Sequence, residues 1–409
     1  MFLVLITPFG IVSGYLSVAI AYLLSQKGVS VEQIAGLIAV SFVPQTWKFL
    51  WAPIADSTLT RKIWYVLAGV VTALMIFAMG VLPATPTTLP LLYVIALVAS
   101  FASTFLAMAT ESLMVFDTPA NAKGRAAGWF QAGNLGGGGV GGGAGLWMAQ
   151  ALPEPWMAGA VLAIVCVACC FALLYIREPA AMPRNRNPLR TMSVIARDLW
   201  SVTRSRAGAL ALLICFLPIG TGAASGLWSA VADDWHASAN TVALVTGVIS
   251  GLVSAAGCFL GGWACDRMDR KAAYALFGAL LAICAIAMAI APRTESAYIV
   301  FTMIYSLICG LSYAGFSAVT LEAIGHGAAA TKYNVFASLS NMPIAYMTLI
   351  DGWAHSQWGA GGMLYTEAVV ALIAIAGFYG VTALTRRTAS AASDSAASTA
   401  PLGDAPVDR

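Results

Sequence analysis

The stretch that decides the fold is Pro44 to Lys62, PQTWKFLWAPIADSTLTRK, in which an apolar helix runs to Ala52-Pro53 and a short charged loop follows. Lys48 lies inside that helix. The same grammar returns at Gly261 to Lys271, GGWACDRMDRK, with Asp266 followed by Arg267, Arg270 and Lys271 after a Gly-rich apolar run. Asp56 and Asp266 are 210 residues apart, as are Pro8-Phe9-Gly10 and Pro218-Ile219-Gly220, and Glu111 and Glu322 are 211 apart. A register shared by two pairs and nearly by a third predicts two copies of one unit.

Composition says what kind of unit it is. Of 409 residues 60% are hydrophobic and 10% charged, with a mean hydropathy of +0.82, which is outside the balance of soluble domains and predicts a polytopic membrane protein. Hydrocarbon offers no water to the backbone, so each crossing is a helix of roughly 20 residues or part of a closed barrel, and long unbroken apolar runs select helices. The net charge of +3 carries no nucleic-acid reading. The eight cysteines fall within or at the ends of apolar segments; Cys166, Cys169 and Cys170 have a ligand-like spacing but no second pair and no adjacent His, so they read as small packing residues, with no metal and no cofactor implied. The N-terminus enters an apolar run at once, without a basic n-region, and reads as the first span.

Apolar segments fall at 2–24, 31–52, 63–83, 90–116, 126–151 and 156–176, and six more at 209–232, 240–264, 272–292, 297–321, 333–354 and 362–384. The expected organisation is an all-α integral membrane protein with a six-helix half over 1–176, a basic linker over 177–208, a second six-helix half over 209–384 and a disordered tail over 385–409. Within the linker, Arg190 to Arg206 has Met192, Ile195, Leu199 and Val202 at helical spacing, as a helix on anionic lipid or a solvated linker helix would. With twelve spans, Arg61, Lys62, Lys123, Arg125, the linker cations, Arg267, Arg270, Lys271, Lys332, Arg386 and Arg387 share one face, and only Lys27 and Arg293 lie on the other. The positive-inside rule makes the crowded face cytoplasmic, with both termini inside and the chain in the inner membrane.

Two six-helix halves with an acidic-then-basic loop after the second helix of each resemble the major facilitator superfamily and its G-x-x-x-D-(R)-x-x-R-K motif. Gly262 to Lys271 follows the motif closely, whereas the first copy has Ala52 in the glycine place and one extra residue between Asp56 and Arg61. Lys48-Phe49-Leu50-Trp51-Ala52-Pro53-Ile54-Ala55-Asp56 is similar to the K-F-L-W-A-P-x-x-D stretch of AmpG-like muropeptide permeases and their acetyl-coenzyme A transporter relatives. Beyond the second helix the likeness thins. The family's acidic pair on the fourth helix is here Glu111 with Ala107, and its arginine on the fifth gives way to Gln131-Ala-Gly-Asn134-Leu-Gly-Gly-Gly-Gly139.

The resemblance implies a secondary transporter, not an enzyme, that moves a polar or amphiphilic small-molecule solute by alternating access. On the closer branch this is proton-coupled import of a muropeptide-like solute, with siderophore or drug permeases sharing the fold. A membrane sensor or enzyme on the same scaffold is the rival from another class, and His236, His326 and His355 in loops offer no nucleophile and base at one depth. Asp56, Arg61, Asp266 and Arg270 are latch residues by resemblance. A monomer in contact with lipid is expected, with no nucleic-acid partner.

Within that frame Asn134, nine residues after Arg125, and Asn341, nine after Lys332, stand at equal depth in the two halves. Buried amides need a helix partner or a wet cavity, and both readings stay open. Tyr15, Trp228, Tyr305 and Tyr313 lie on helices that surround the cavity by resemblance, or they pack. Lys48 either snorkels or pairs with Glu111, or it contacts solute. Glu111 is either a structural ion-pair partner or the proton carrier. The glycines from Gly136 to Gly145 allow close helix approach, and with no Lys-Ser or Lys-Thr after them they form no phosphate loop.

Overall fold

A computed structural model describes residues 1–118, 123–176, 193, 197, 200, 206–324 and 335–398. Among the described residues the regular structure is all helical. The first half comprises α1 (Phe2–Gln26), α2 (Val31–Thr46, resumed as Lys48–Ser57), α3 (Arg61–Val81), α4 (Leu89–Asp117), α5 (123–151) and α6 (Trp156–Tyr175). The second comprises α7 (Arg206–Phe216, then short turns to Trp235), α8 (Ala239–Cys265), α9 (Arg270–Ile290), α10 (Glu295–Ile324), α11 (335–358) and α12 (360–398).

Among the described residues eight stretches are long and apolar enough to cross a membrane, and the last of them, Val335–Ala383, breaks at Gly359 into α11 and α12. With α2, α5 and α7, which are interrupted or diluted by glycine, twelve helices stand in two sets of six. Local chemistry fixes their ends. Ser30 and Gln33 form a capping box at α2, Thr60 accepts the Ile63 N–H at 3.2 Å to start α3, and Asp269 accepts the Ala272 N–H at 2.9 Å to start α9.

Two expectations are corrected. The second span does not end at Ala52-Pro53: it breaks at Trp47 (φ −101, ψ 16) and continues to Ser57. Pro44 and Pro53 each remove an N–H from the helix ladder on either side of that point. The seventh span is not a continuous helix over 209–232. It stops at Phe216, because Pro218 and then Gly220 (φ 61) and Gly222 (φ 64) take the backbone out of the helical region. Beyond the twelfth span α12 continues to Ser398, through an Ala-rich stretch of high helix propensity. Most of the linker, including the basic stretch Arg190 to Arg206, lies outside the described residues.

Tight glycine contacts hold the first half together. A Cβ at Gly14 would sit 2.0 Å from the Gly138 carbonyl oxygen, one at Gly137 2.3 Å from that of Thr7, and one at Gly141 2.2 Å from that of Ile11, so α1 and α5 touch backbone to backbone. The repeat is visible in the hydrogen bonds as well. A tyrosine on the third helix of each half, Tyr65 or Tyr274, donates to a carbonyl on the first, that of Leu5 at 2.7 Å or that of Ile219 at 2.6 Å.

The two halves meet on the face that carries Lys27 and Arg293. Ile34 and Ile38 of α2 share one buried core with Leu227 and Trp228 of α7. Gly352 of α11 lies against Ala35 of α2, Gly247 of α8 against Gly143 of α5, and Gln26 Nε2 donates to Asp233 Oδ2 at 2.7 Å across the seam. Toward the opposite face α5 and α8 diverge: a Cβ at Gly251 is 3.9 Å from Leu135, and none at Gly136 or Gly128 would touch anything.

Candidate functional site

Lys48 opens the second segment of α2, immediately after the break at Trp47. Its Nζ donates to Glu111 Oε1 at 2.9 Å and Oε2 at 3.0 Å, a two-pronged contact with α4. The side chains are 24% and 34% exposed, so the pair keeps access to the space beside α2 while each charge offsets the cost of the other. Of the two readings of Lys48, the structure shows the ion pair. Phe49, the next residue, packs across the seam against the buried cluster of Cys215, Val335, Phe336 and Leu339, which places the pair beside the junction of the halves.

The two asparagines are both half-buried. Asn134 lies one residue from Leu135, where α5 leaves α8. Asn341 Nδ2 donates to the carbonyl oxygens of Ala337 at 3.4 Å and Ser338 at 3.1 Å, spanning the turn at Ser340 where α11 bends. The amide of Asn341 is therefore engaged with the backbone of its own helix, a local contact and not a bond to another helix.

Of the four aromatic residues, Tyr15, Trp228 and Tyr305 share one buried core and Tyr313 does not. Tyr15 is packed inside the first half against Gly80 and Gly145. Tyr313 is 53% exposed on α10. Trp228 and Tyr305 are buried together in the second half, edge to face at 5.1 Å. Both belong to the same buried core as Tyr15, and among the described residues the ring contact within the four is that of Trp228 with Tyr305.

What the sequence did not single out is the arrangement that surrounds them. The break in α7 leaves backbone polar groups inside the protein, and at membrane depth each must be satisfied from within. Tyr346 donates to the Phe216 carbonyl at 2.7 Å, Tyr298 to that of Trp228 at 3.0 Å, and the Ala224 N–H donates to Glu367 Oε1 at 3.4 Å. The Tyr305 hydroxyl donates to the same Glu367 oxygen. Asp351 of α11 is completely buried nearby, within electrostatic reach of Glu367. The signal was Pro218 with two glycines in one apolar segment, which resembles the Pro8 region of α1 but breaks here.

Gly222 makes that break testable. Its φ is 64, and a Cβ there would lie 2.4 Å from Cys309 Sγ. Gly222→Ala is expected to cost about 1–2 kcal/mol from the left-handed backbone alone. A thermal melt in detergent should fall clearly, and Gly222→Ala/Cys309→Ala should recover only the steric part. An unchanged melt would mean the break does not depend on this glycine.

At the opposite face the charged loops are described in part. Asp266 is exposed at the end of α8, and Arg267 lies over the Trp263 ring at 4.0 Å. Arg270 and Arg61 begin α9 and α3, at matching places in the repeat. The side chains of Asp56 and Glu322 lie outside the described residues.

Comparison with known proteins is consistent with this geometry. The family model described as Major Facilitator Superfamily matches residues 2–225, more than half of the chain. No curated protein matches by sequence. Among solved structures, a bacterial homolog of the human lysosomal transporter Spinster, inward-facing and unoccupied, aligns with a TM-score of 0.73 and 14% identity over 92% of this chain and 95% of its own. The nucleoside transporter NupG aligns at 0.69 with 13% identity over 92% and 96%, and the inward-open xylose transporter XylE from E. coli at 0.69 with 12% identity over 92% and 95%. At such identities the likeness speaks for the fold alone, that of a multi-pass helical membrane protein. By the matched family model and the twelve-helix architecture together, the chain belongs to the Major Facilitator Superfamily.

Proposed function

We propose that this chain is a secondary transporter that carries a polar or amphiphilic solute across the inner membrane by alternating access, and that on the AmpG-like reading the solute is a muropeptide-like anion imported with a proton. The supporting observation is the Lys48–Glu111 pair at 2.9 Å, half-exposed at the break in α2 and beside the junction of the halves. A proton on Glu111 would free Lys48 to take a solute carboxylate, which couples proton and solute in one exchange of partners. Asn134 and Asn341, with Trp228, Tyr305, Tyr313 and Tyr15 as aromatic candidates, would supply the uncharged contacts between the halves.

The test is uptake into proteoliposomes from a panel of labelled solutes. Lys48→Met is expected to lower uptake of an anionic solute by about tenfold or more, the value of a lost charge-assisted hydrogen bond, and to spare a neutral analogue. Asn134→Leu/Asn341→Leu is expected to weaken both. Equal uptake of both solutes by parent and Lys48→Met would end the anion reading, and full activity of the double mutant would move the site elsewhere.

The cation-rich face is taken as cytoplasmic, with both termini inside and Asp56, Arg61, Asp266 and Arg270 as a latch there. Reporter fusions at Met268 and in the 177–205 linker should then report from the cytoplasm. Signals from the outside would remove the orientation and the latch together.

A further inference from the structure

Glu367 and Asp351 are the most deeply buried carboxyls described in the chain. Glu367 is 4% exposed and Asp351 0%. Both oxygens of Asp351 and Oε2 of Glu367 are buried without a hydrogen-bond partner, and among the described residues neither carboxyl is ion-paired. A carboxylate charge held without donor or cation is among the costliest arrangements a protein interior can contain, and a bound proton removes that cost. Counted from the break at Gly359, Asp351 lies about 12 Å down α11 and Glu367 about 12 Å down α12, so the two are at one depth.

A second pair of titratable groups lies between them and the cation-poor face. Asp234 lies in the α7–α8 connection and is 37% exposed; its Oδ2 is 2.7 Å from His355 Nε2. His355 is four residues from Asp351, on the same face of α11 one turn farther out. On the inner side Glu367 Oε1 takes the Tyr305 hydroxyl and the Ala224 N–H. The other titratable groups facing the pair are the thiols of Cys284 on α9 and Cys309 on α10. Arg293, the cation of this corner, lies over the Trp235 ring at 4.2 Å, with Nη2 donating to the Ala289 carbonyl at 3.4 Å. The Cα of Glu32 of α2 lies beside Gly352 of α11.

We propose that Asp351 and Glu367 form a proton-binding site of the second half, loaded from the cation-poor face through Asp234 and His355 and distinct from the Lys48–Glu111 pair. One proton moves from water to the Asp234–His355 pair and on to the buried carboxyls, and it leaves by the same groups or through Tyr305; no other bond changes. Two donors already occupy Glu367 Oε1, which fits a proton and opposes a metal cation needing that oxygen as a ligand. Because Tyr305 also packs on Trp228 beside the seam, loading the site acts on the element that closes the halves.

The experiment needs no solute and so stands apart from the transport reading. Purified protein in lipid is taken from alkaline to acidic medium while infrared difference spectra follow the carbonyl stretch of protonated carboxyls. The parent should gain a band that Glu367→Gln removes and that exposed-loop Glu154→Gln leaves intact. His355→Phe should slow its appearance about tenfold or more, as loss of a positioned proton-transfer group does. Tyr305→Phe keeps both carboxyls and should shift the band without removing it, which serves if Glu367→Gln fails to fold. The proposal is overturned by the absence of any band in the parent, by a band that survives Glu367→Gln or is lost instead in Glu111→Gln, by a band unshifted in Tyr305→Phe, by an unaltered rate in His355→Phe, or by displacement of the band by sodium at constant pH.

Discussion

Gly141→Val is expected to yield no folded protein, whereas Gly136→Ala, five residues away on the same helix, should melt like the parent. At Gly141 even the first added carbon would lie 2.2 Å from the Ile11 carbonyl oxygen and 2.8 Å from two more backbone atoms of α1, none of which can move without moving the helix. At Gly136 nothing lies within 4 Å. Overpacking a rigid contact costs about 1–3 kcal/mol where side chains can give, and more where backbone must. Gly14 and Gly137 lie in the same contact, so α1 would have to leave α5 along its length. Size-exclusion behaviour and a thermal melt in detergent read the outcome. Equal stability of Gly141→Val and the parent would show that the two helices are not held at this distance.

The same glycines show how much of the molecule was legible in the sequence. Their role as a close-packing stripe, the two-copy arrangement and the all-helical class followed from composition and from one repeated register, because burial in hydrocarbon leaves few alternatives to a helix. Breaks inside helices were less legible. Trp47 and the Pro218 to Gly222 stretch are apolar, and hydropathy does not distinguish a helix from an unwound segment whose carbonyls are held by Tyr274, Tyr298 and Tyr346 from other helices. The candidate site was legible for the Lys48–Glu111 pair, since both charges were expected at the same depth. It was not legible for Glu367 and Asp351, whose interest lies in the donors that reach one and the lack of any at the other.

Alternating access requires the halves to part where the structure has them joined. Gln26 and Asp233 bridge the seam at the cation-poor face through side chains in exposed positions, next to a core that both halves share. A carrier of this kind has to open that seam once per cycle. The decisive measurement joins Gln26→Cys to Asp233→Cys with a short, reducible bifunctional thiol reagent in proteoliposomes, with each single mutant treated alike, and follows uptake of the transported solute. Uptake is expected to fall to background in the cross-linked double mutant alone and to return when the link is reduced, whereas uptake at the parent rate with the link complete would contradict transport by opening of this face.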